Sequence, residues 1–178
     1  MTGRLRDVSP RVKARIAGAF WLMVFVAGSL ALAVGRGAVL YAANVVAALC
    51  YVVVTLLLYD LLKPVNRSIS SLAAFFGLTG CAVSLFGLTK FILLRDLVFF
   101  GAQCLLIGYL ILRSTFLPRV LGALMVFAGL GWLTFLWPPL ARSLSPYNLA
   151  PGMIGEGLLL VWLMIIGVNV DRWKEQAA

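Results

Sequence analysis

Six long apolar stretches dominate this sequence; five contain no charged residue and the sixth contains only Glu156. They occupy residues 16–34, 38–59, 68–89, 97–112, 120–141 and 151–170. A helix needs about 20 apolar residues to cross a bilayer. Of the 178 residues 63% are apolar and 12% are charged, whereas soluble domains have about 25% charged residues. The sequence therefore predicts an all-α integral membrane bundle of six transmembrane helices.

The links between the predicted spans are short, which favours one compact domain. We expect this transmembrane domain to cover residues 15–170, with a basic tail at 1–14 and a C-terminal tail at 171–178. The longest link, 138–151, is rich in proline and is predicted to be a loop. We interpret the first span as a retained helix, because its uncharged run of 19 residues exceeds the roughly 7–15 of a signal peptide.

The distribution of Lys and Arg predicts the orientation. With six spans, both tails and the second and fourth links lie on one side, and that side holds eleven of the fifteen basic residues. Cytoplasmic segments of membrane proteins carry an excess of Lys and Arg. We therefore expect both termini in the cytoplasm.

The residue types present exclude several classes of function. The chain has no His and three isolated cysteines, Cys50, Cys81 and Cys104; His is the commonest metal ligand and a frequent general base. We therefore predict no catalytic residues, no metal and no cofactor, and a protein that is not an enzyme. The net charge of +9 would suit nucleic acid, but the basic residues lie at the ends of apolar runs, as membrane topology requires. No nucleic-acid partner is expected.

Glu156 is the leading candidate for a functional residue, because ionisable groups within a bilayer are costly and are often functional. Only 14 uncharged residues separate it from Asp171, which is about 21 Å of helix. The sixth helix must therefore begin earlier and carry Glu156 into the outer third of the membrane. The carboxyl is either a ligand-binding or proton-accepting group, or a structural group paired with an arginine or reaching the outer interface.

Four further polar residues lie at a similar depth. The fourth span is short unless it begins at Phe91, which would immerse Arg95 and Asp96, and we hypothesise that Glu156 pairs with Arg95. Asn44 and Gln103 also fall in the outer half. These residues could line a small polar pocket with Glu156, or they could form interhelical hydrogen bonds contributing about 0.6 kcal/mol each.

The N-terminal segment is a candidate for docking to anionic lipid. Its basic residues are Arg4, Arg6, Arg11, Lys13 and Arg15. Each basic residue near an anionic leaflet contributes about 1 kcal/mol of attraction. The alternative interpretation is a docking arm for a protein partner.

Two spacings concern packing. Arg15, Arg67 and Arg119 open alternate helices 52 residues apart, which indicates either a repeated helical hairpin or similar helix lengths combined with the charge rule. Small residues recur three, four or seven positions apart, which predicts faces where helices approach closely. They include Gly77, Gly80, Gly101, Gly108, Gly122 and Gly129.

Several stretches resemble a known family. They are 15–18 (RIAG), 58–67 (LYDLLKPVNR), 99–114 (FFGAQCLLIGYLILRS), 117–122 (LPRVLG) and 155–163 (GEGLLLVWL). They are similar to bacterial multi-pass membrane proteins of the domain-of-unknown-function family 4386. The resemblance implies the six-helix fold and a place in the bacterial cytoplasmic (inner) membrane, and it supplies no activity. The segments after the first and third helices are shorter here than in most members.

These features lead to one main functional hypothesis and one alternative. The main hypothesis is a non-catalytic, membrane-embedded accessory subunit that binds a protein partner or a lipid-like ligand. Its partners would be membrane lipid together with another membrane protein or further copies of the chain. The alternative is a small-solute transporter or channel that uses Glu156.

Overall fold

The computed structural model describes residues 9–34, 37–86 and 96–178. The helices of these residues are α1 (Pro10–Val34), α2 (Gly37–Leu62), α3 (Arg67–Leu85), α4 (Asp96–Arg113), α5 (Arg119–Leu133), α6 (Pro138–Leu144), α7 (Ala150–Ile165) and α8 (Val170–Ala177). Within these described ranges, six segments are long and apolar enough to cross a membrane: α1 to α5 and α7, with α5 and α7 each extended by a short 3-10 turn. The prediction of an all-α bundle with six spans is confirmed.

The six spanning helices form a closed ring. Each packs against its neighbour in the chain, and α7 returns to pack against α1. The buried core takes residues from all six helices, among them Trp21, Val54, Ala73, Ile107, Met125 and Leu159. Large apolar side chains also remain exposed on the outer surface, including Val26, Leu49, Phe75, Phe127 and Ile165. This arrangement suits a bundle whose surroundings are lipid.

The start of α1 and the end of α7 lie at the same end of the bundle. The Arg15 guanidinium donates a hydrogen bond to the Ile165 carbonyl at 3.2 Å. The Trp173 indole on α8 donates to the Leu61 carbonyl at 2.9 Å. We call this end, which carries the beginning of α1, the α2–α3 and α4–α5 links and α8, the basic end. Lys13 and Lys63 both pair there with Asp60.

The fifth span ends earlier than predicted. We expected it to run to residue 141, but α5 ends at Leu133, a 3-10 turn covers Thr134–Leu136, and Pro138 begins α6. Pro138 and Pro139 lack backbone N–H groups and cannot continue the preceding helix. The link predicted as a loop is therefore a short helix followed by the 3-10 turn Tyr147–Leu149.

The C-terminal residues form a helix where a tail was predicted. The helix α7 ends at Ile165, before the expected 170, and Gly167 adopts a φ of 76°, a conformation that glycine allows without steric cost. The Asn169 side chain then accepts a hydrogen bond from the backbone N–H of Arg172 at 3.1 Å. This is an N-cap, and it starts α8.

Two predicted helix starts have different outcomes. The helix α1 begins at Pro10, so the last part of the predicted basic tail is helical. The described part of α4 begins at Asp96, and the predicted start at Phe91 lies outside the described residues.

Glycines bring α4 and α5 into close contact, as their spacing predicted. A Cβ atom added to Gly108 would lie 2.8 Å from the carbonyl oxygen of Gly122, and one added to Gly122 would lie 2.8 Å from that of Gly108. The pair Gly101 and Gly129 is related in the same way, with distances of 3.1 and 2.8 Å. At the Gly108–Gly122 crossing the two backbones leave no room for a side chain.

Candidate functional site

The Glu156 carboxyl lies inside the ring. Glu156 is 6% exposed. It lies six residues after the first residue of α7 and nine before the last. The Trp132 indole donates a hydrogen bond to Glu156 Oε1 at 2.5 Å. The Cys104 thiol donates to the same oxygen at 3.6 Å. Side chains of α4 and α5 thus hold one carboxyl oxygen of α7.

Two glycines on α7 make room for this arrangement. A Cβ atom at Gly152 would lie 2.1 Å from Cζ2 of the Trp132 ring. One at Gly155 would lie 2.4 Å from the carbonyl oxygen of Leu124 on α5. Without side chains at these positions, α7 packs directly against α5 and the indole can reach the carboxyl.

Two aromatic residues complete the surroundings of the carboxyl. Trp21 on α1 is fully buried, and its ring meets that of Tyr51 on α2 edge-on at 6.1 Å. Both side chains interact electrostatically with Glu156. Trp21 Nε1 forms no hydrogen bond of ordinary geometry with any described residue. We call Trp21, Tyr51, Cys104, Trp132 and Glu156 the carboxyl cluster; five of the six spanning helices contribute to it.

The charge of this carboxyl has no described counter-charge. Among the residues that the structure describes, the ion pairs are those of Lys13 and Lys63 with Asp60. The hypothesised partner, Arg95, lies outside the described residues, so that pairing stays a prediction.

The other residues predicted for the polar pocket do not gather around Glu156. Gln103 is 1% exposed and donates to Thr55 Oγ1 on α2 at 3.2 Å, while its Oε1 has no partner in the described chain. It precedes Cys104, and successive helical residues point about 100° apart. Asp96 is the first described residue of α4, and its side chain accepts from the N–H of Leu97 at 3.0 Å. Asn44 is exposed, so it is not part of the buried cluster.

Trp132 is the partner that sequence analysis missed. Indoles near the outer end of a span usually belong to the aromatic belt at the membrane interface, yet this ring turns inward to Glu156. Sequence analysis noted Cys104 only as an isolated cysteine. One signal was available: Cys104 and Glu156 are 52 residues apart, the same spacing that relates Arg15, Arg67 and Arg119.

A second site lies at the basic end of the bundle. A cavity of about 390 Å³ opens between the start of α1, the α4–α5 link and the α7–α8 link. Arg11, Thr115, Asn169 and Arg172 supply polar groups, and Trp162 and Ile166 are among its apolar walls. We call it the basic cavity. Arg172 Nη1 donates to the Thr115 carbonyl at 3.4 Å, and neither arginine forms an ion pair within the described ranges.

The basic residues predicted to bind anionic lipid therefore make different contacts in the structure. Arg11 lines the basic cavity. Lys13, whose side chain is 13% exposed, is engaged by Asp60, and exposed Arg15 binds the end of α7. Arg4 and Arg6 lie outside the described residues.

Comparison with known proteins identifies the family. Residues 35–98 and 91–167 match the family model described as Domain of unknown function (DUF4386). A protein of Archaeoglobus fulgidus, named "Uncharacterized protein", is 36% identical over 132 residues, which cover 68% of this chain and 79% of that relative. No solved structure matches the chain significantly. The resemblance seen in the sequence is confirmed, and the chain belongs to the family described as Domain of unknown function (DUF4386).

Proposed function

We propose that this protein is a non-catalytic membrane protein that binds an anionic, lipid-like ligand at its basic end. The observation that carries the proposal is the basic cavity, about 390 Å³ in volume. Two guanidinium groups, of Arg11 and Arg172, line it without a described carboxylate partner.

The lining of the basic cavity suits a phosphate-bearing lipid. Guanidinium groups present several N–H donors in a planar fork that matches phosphate oxygens. Trp162 and Ile166 belong to the last turn of α7 and its C-cap, so the cavity lies at the level where a spanning helix leaves the membrane. A lipid there places its headgroup beside the arginines and its apolar part beside these side chains.

The charge distribution supports the side of the membrane that this proposal requires. Eleven of the fifteen basic residues are assigned to the basic end, and such an excess is typical of cytoplasmic segments. Anionic lipids give the cytoplasmic leaflet a negative surface potential. We infer that both termini are cytoplasmic and that the protein resides in a bacterial-type cytoplasmic membrane.

An accessory role is the biological setting that we propose for such binding. Among the described residues, every spanning helix except α4 carries several exposed large apolar side chains, and the ring has an interior filled by side chains. A lipid bound at the basic end would change the affinity of these faces for a membrane-protein partner or for another copy of the chain. Intact-complex mass spectrometry of the protein purified from its membrane in mild detergent tests this role; a lone chain without partner would contradict it.

Lipid titration tests the binding site itself. We expect phosphatidylglycerol to bind the purified protein in preference to phosphatidylcholine, and Arg11→Gln combined with Arg172→Gln to weaken that binding about tenfold or more. A hydrogen bond to a charged group contributes about 1.5–3 kcal/mol, and about 1.4 kcal/mol corresponds to tenfold. The control is Arg142→Gln, which removes an exposed arginine from α6. Equal weakening by the control, or no preference between the two lipids, would overturn the proposal.

A small-solute transporter is the second candidate. The specific observation in its favour is the Glu156 carboxyl within the ring, bound by Trp132 and Cys104. Flux into proteoliposomes that disappears in Glu156→Gln would support it. Flux that persists unchanged in this variant would remove Glu156 from the pathway.

A further inference from the structure

We propose that Glu156 is a reversible proton-binding site within the membrane, which takes up and releases one proton while its Oε1 atom stays bound to Trp132 and Cys104. This inference goes beyond lipid binding and does not depend on the basic cavity. It rests on the burial of the carboxyl, the chemistry of the groups around it and the positions of its two hydrogen bonds.

The first argument concerns charge. An ionised carboxylate removed from water is costly unless another charge or several hydrogen bonds compensate it. Glu156 is 6% exposed, and no lysine or arginine of the described ranges forms an ion pair with it. A proton is the smallest counter-charge that can reach such a group. Burial therefore favours the neutral acid.

The second argument concerns the groups that face the carboxyl. They are Trp21 from α1, Tyr51 from α2, Cys104 from α4 and Trp132 from α5. All four are uncharged near neutral pH, and each carries an N–H, O–H or S–H group that can donate a hydrogen bond. On the α3 side, Cys81 interacts electrostatically with Tyr51. Hydrogen-bond donors stabilise the carboxylate, whereas burial stabilises the neutral acid. The environment of Glu156 therefore contains one stabilising influence for each protonation state.

The third argument is the position of the hydrogen bonds. Both described hydrogen bonds to the Glu156 side chain end on Oε1. The Oε2 atom is thus available to form an O–H bond when a proton arrives from water, and the negative charge is neutralised in that step. On release the O–H electron pair stays on Oε2 and the proton returns to water. Trp21 Nε1 already interacts with the carboxyl but forms no hydrogen bond of ordinary geometry, and a small movement lets it donate to the ionised group.

The protonation of Glu156 can be observed separately from that of other residues, because the only glutamates of the sequence are Glu156 and Glu175. Glu175 is exposed on α8, so Glu175→Gln leaves Glu156 as the single glutamate in an otherwise native chain. The variant is made by cell-free synthesis with glutamate labelled with carbon-13 at the side-chain carboxyl and reconstituted in liposomes. Isotope-shifted infrared bands then report the protonation of Glu156 alone.

We expect the labelled bands to change reversibly, as the pH rises, from those of a protonated acid, shifted in D₂O, to those of a carboxylate, with the steepness of one proton. Trp132→Phe removes a donor to the ionised form, so it should move this change upward by about one pH unit, a tenfold change in proton affinity. The matched control is Trp137→Phe, which alters an exposed indole. Carboxylate bands at every pH, or a protonated band that persists at alkaline pH, would each overturn the proposal.

Discussion

At the scale of single residues, the Glu156–Trp132 contact shows why an intramembrane charge is visible in a sequence and its partner is not. A carboxyl within an apolar run is a clear exception to its surroundings. A tryptophan near the end of a span is common in membrane proteins, since indoles favour the interface. The inward orientation of Trp132 depends on two glycines of another helix: Gly152 leaves space for the ring, and Gly155 lets that helix approach the backbone of α5.

We predict that Trp132→Phe destabilises the protein by about 1–3 kcal/mol, because it leaves a buried carboxyl without its indole donor. The measurement is the free energy of unfolding in mixed micelles, followed by circular dichroism. Trp137→Phe is the control, since Trp137 is 63% exposed, and it should change stability by less than about 0.5 kcal/mol. Equal effects of the two variants would show that the hydrogen bond contributes nothing specific.

At the scale of helices, hydropathy predicts where spans lie better than where they end. The apolar run that contains α5 continues past Leu133 to residue 141, so hydropathy alone does not separate α5 from α6. The separation comes from the two prolines at the start of α6, a local backbone effect. Likewise α8 is too polar to resemble a span, and its hydrogen bonds with Leu61 and Thr115 join it to parts of the chain that are distant in sequence.

The candidate sites were predictable to a lesser extent than the helices. Glu156 and Arg11 were identified because charge is an explicit property of a residue. The cavity that Arg11 lines was not, because it forms where three separate parts of the chain meet. Asn44 and Gln103 were assigned to the outer half by counting residues, but depth does not fix the direction in which a helical side chain points.

The α4–α5 contact gives a prediction for a helix pair. Gly122→Ala should destabilise the protein by about 1–3 kcal/mol, because the new methyl group meets backbone atoms that cannot move independently. The control is Gly28→Ala on α1, where an added Cβ meets no described atom within 4 Å. Alanine there should leave stability unchanged or raise it by up to about 1 kcal/mol. Thermal unfolding of both variants in the same detergent decides the matter, and equal shifts would argue against the close contact.

At the scale of the whole molecule, the 52-residue spacing extends from the arginines to the buried faces. The equivalent positions 18, 70 and 122 are all buried, and so are 21, 73 and 125 as well as 55, 107 and 159. Other equivalent positions differ: residue 54 is buried, 106 is half-buried and 158 is exposed. The spacing therefore relates some buried positions of the three hairpins and not others. Cys104 and Glu156, which this spacing also relates, touch each other inside the ring.

Closure of the ring requires α1 to meet α7, although they come from opposite ends of the chain. Gly18 permits this contact: a Cβ atom there would lie 2.7 Å from the Met164 nitrogen and 2.9 Å from the Leu160 carbonyl oxygen. Both are backbone atoms of α7, so a side chain at this position must force the two helices apart. Reagents larger than water would then reach the interior, where Cys104 is fully buried.

We therefore predict that Gly18→Val exposes Cys104 to N-ethylmaleimide. The parent is a chain with Cys50→Ala and Cys81→Ala, which leaves Cys104 as its single thiol. Labelling of the folded parent, measured by intact mass, should be negligible until denaturant is added, and Gly18→Val should raise the initial rate about tenfold or more. Gly28→Val, at a position with open space, should match the parent. A reactive thiol in the parent would mean that the ring is open, and an unreactive one in Gly18→Val would mean that the α1–α7 contact does not seal the interior.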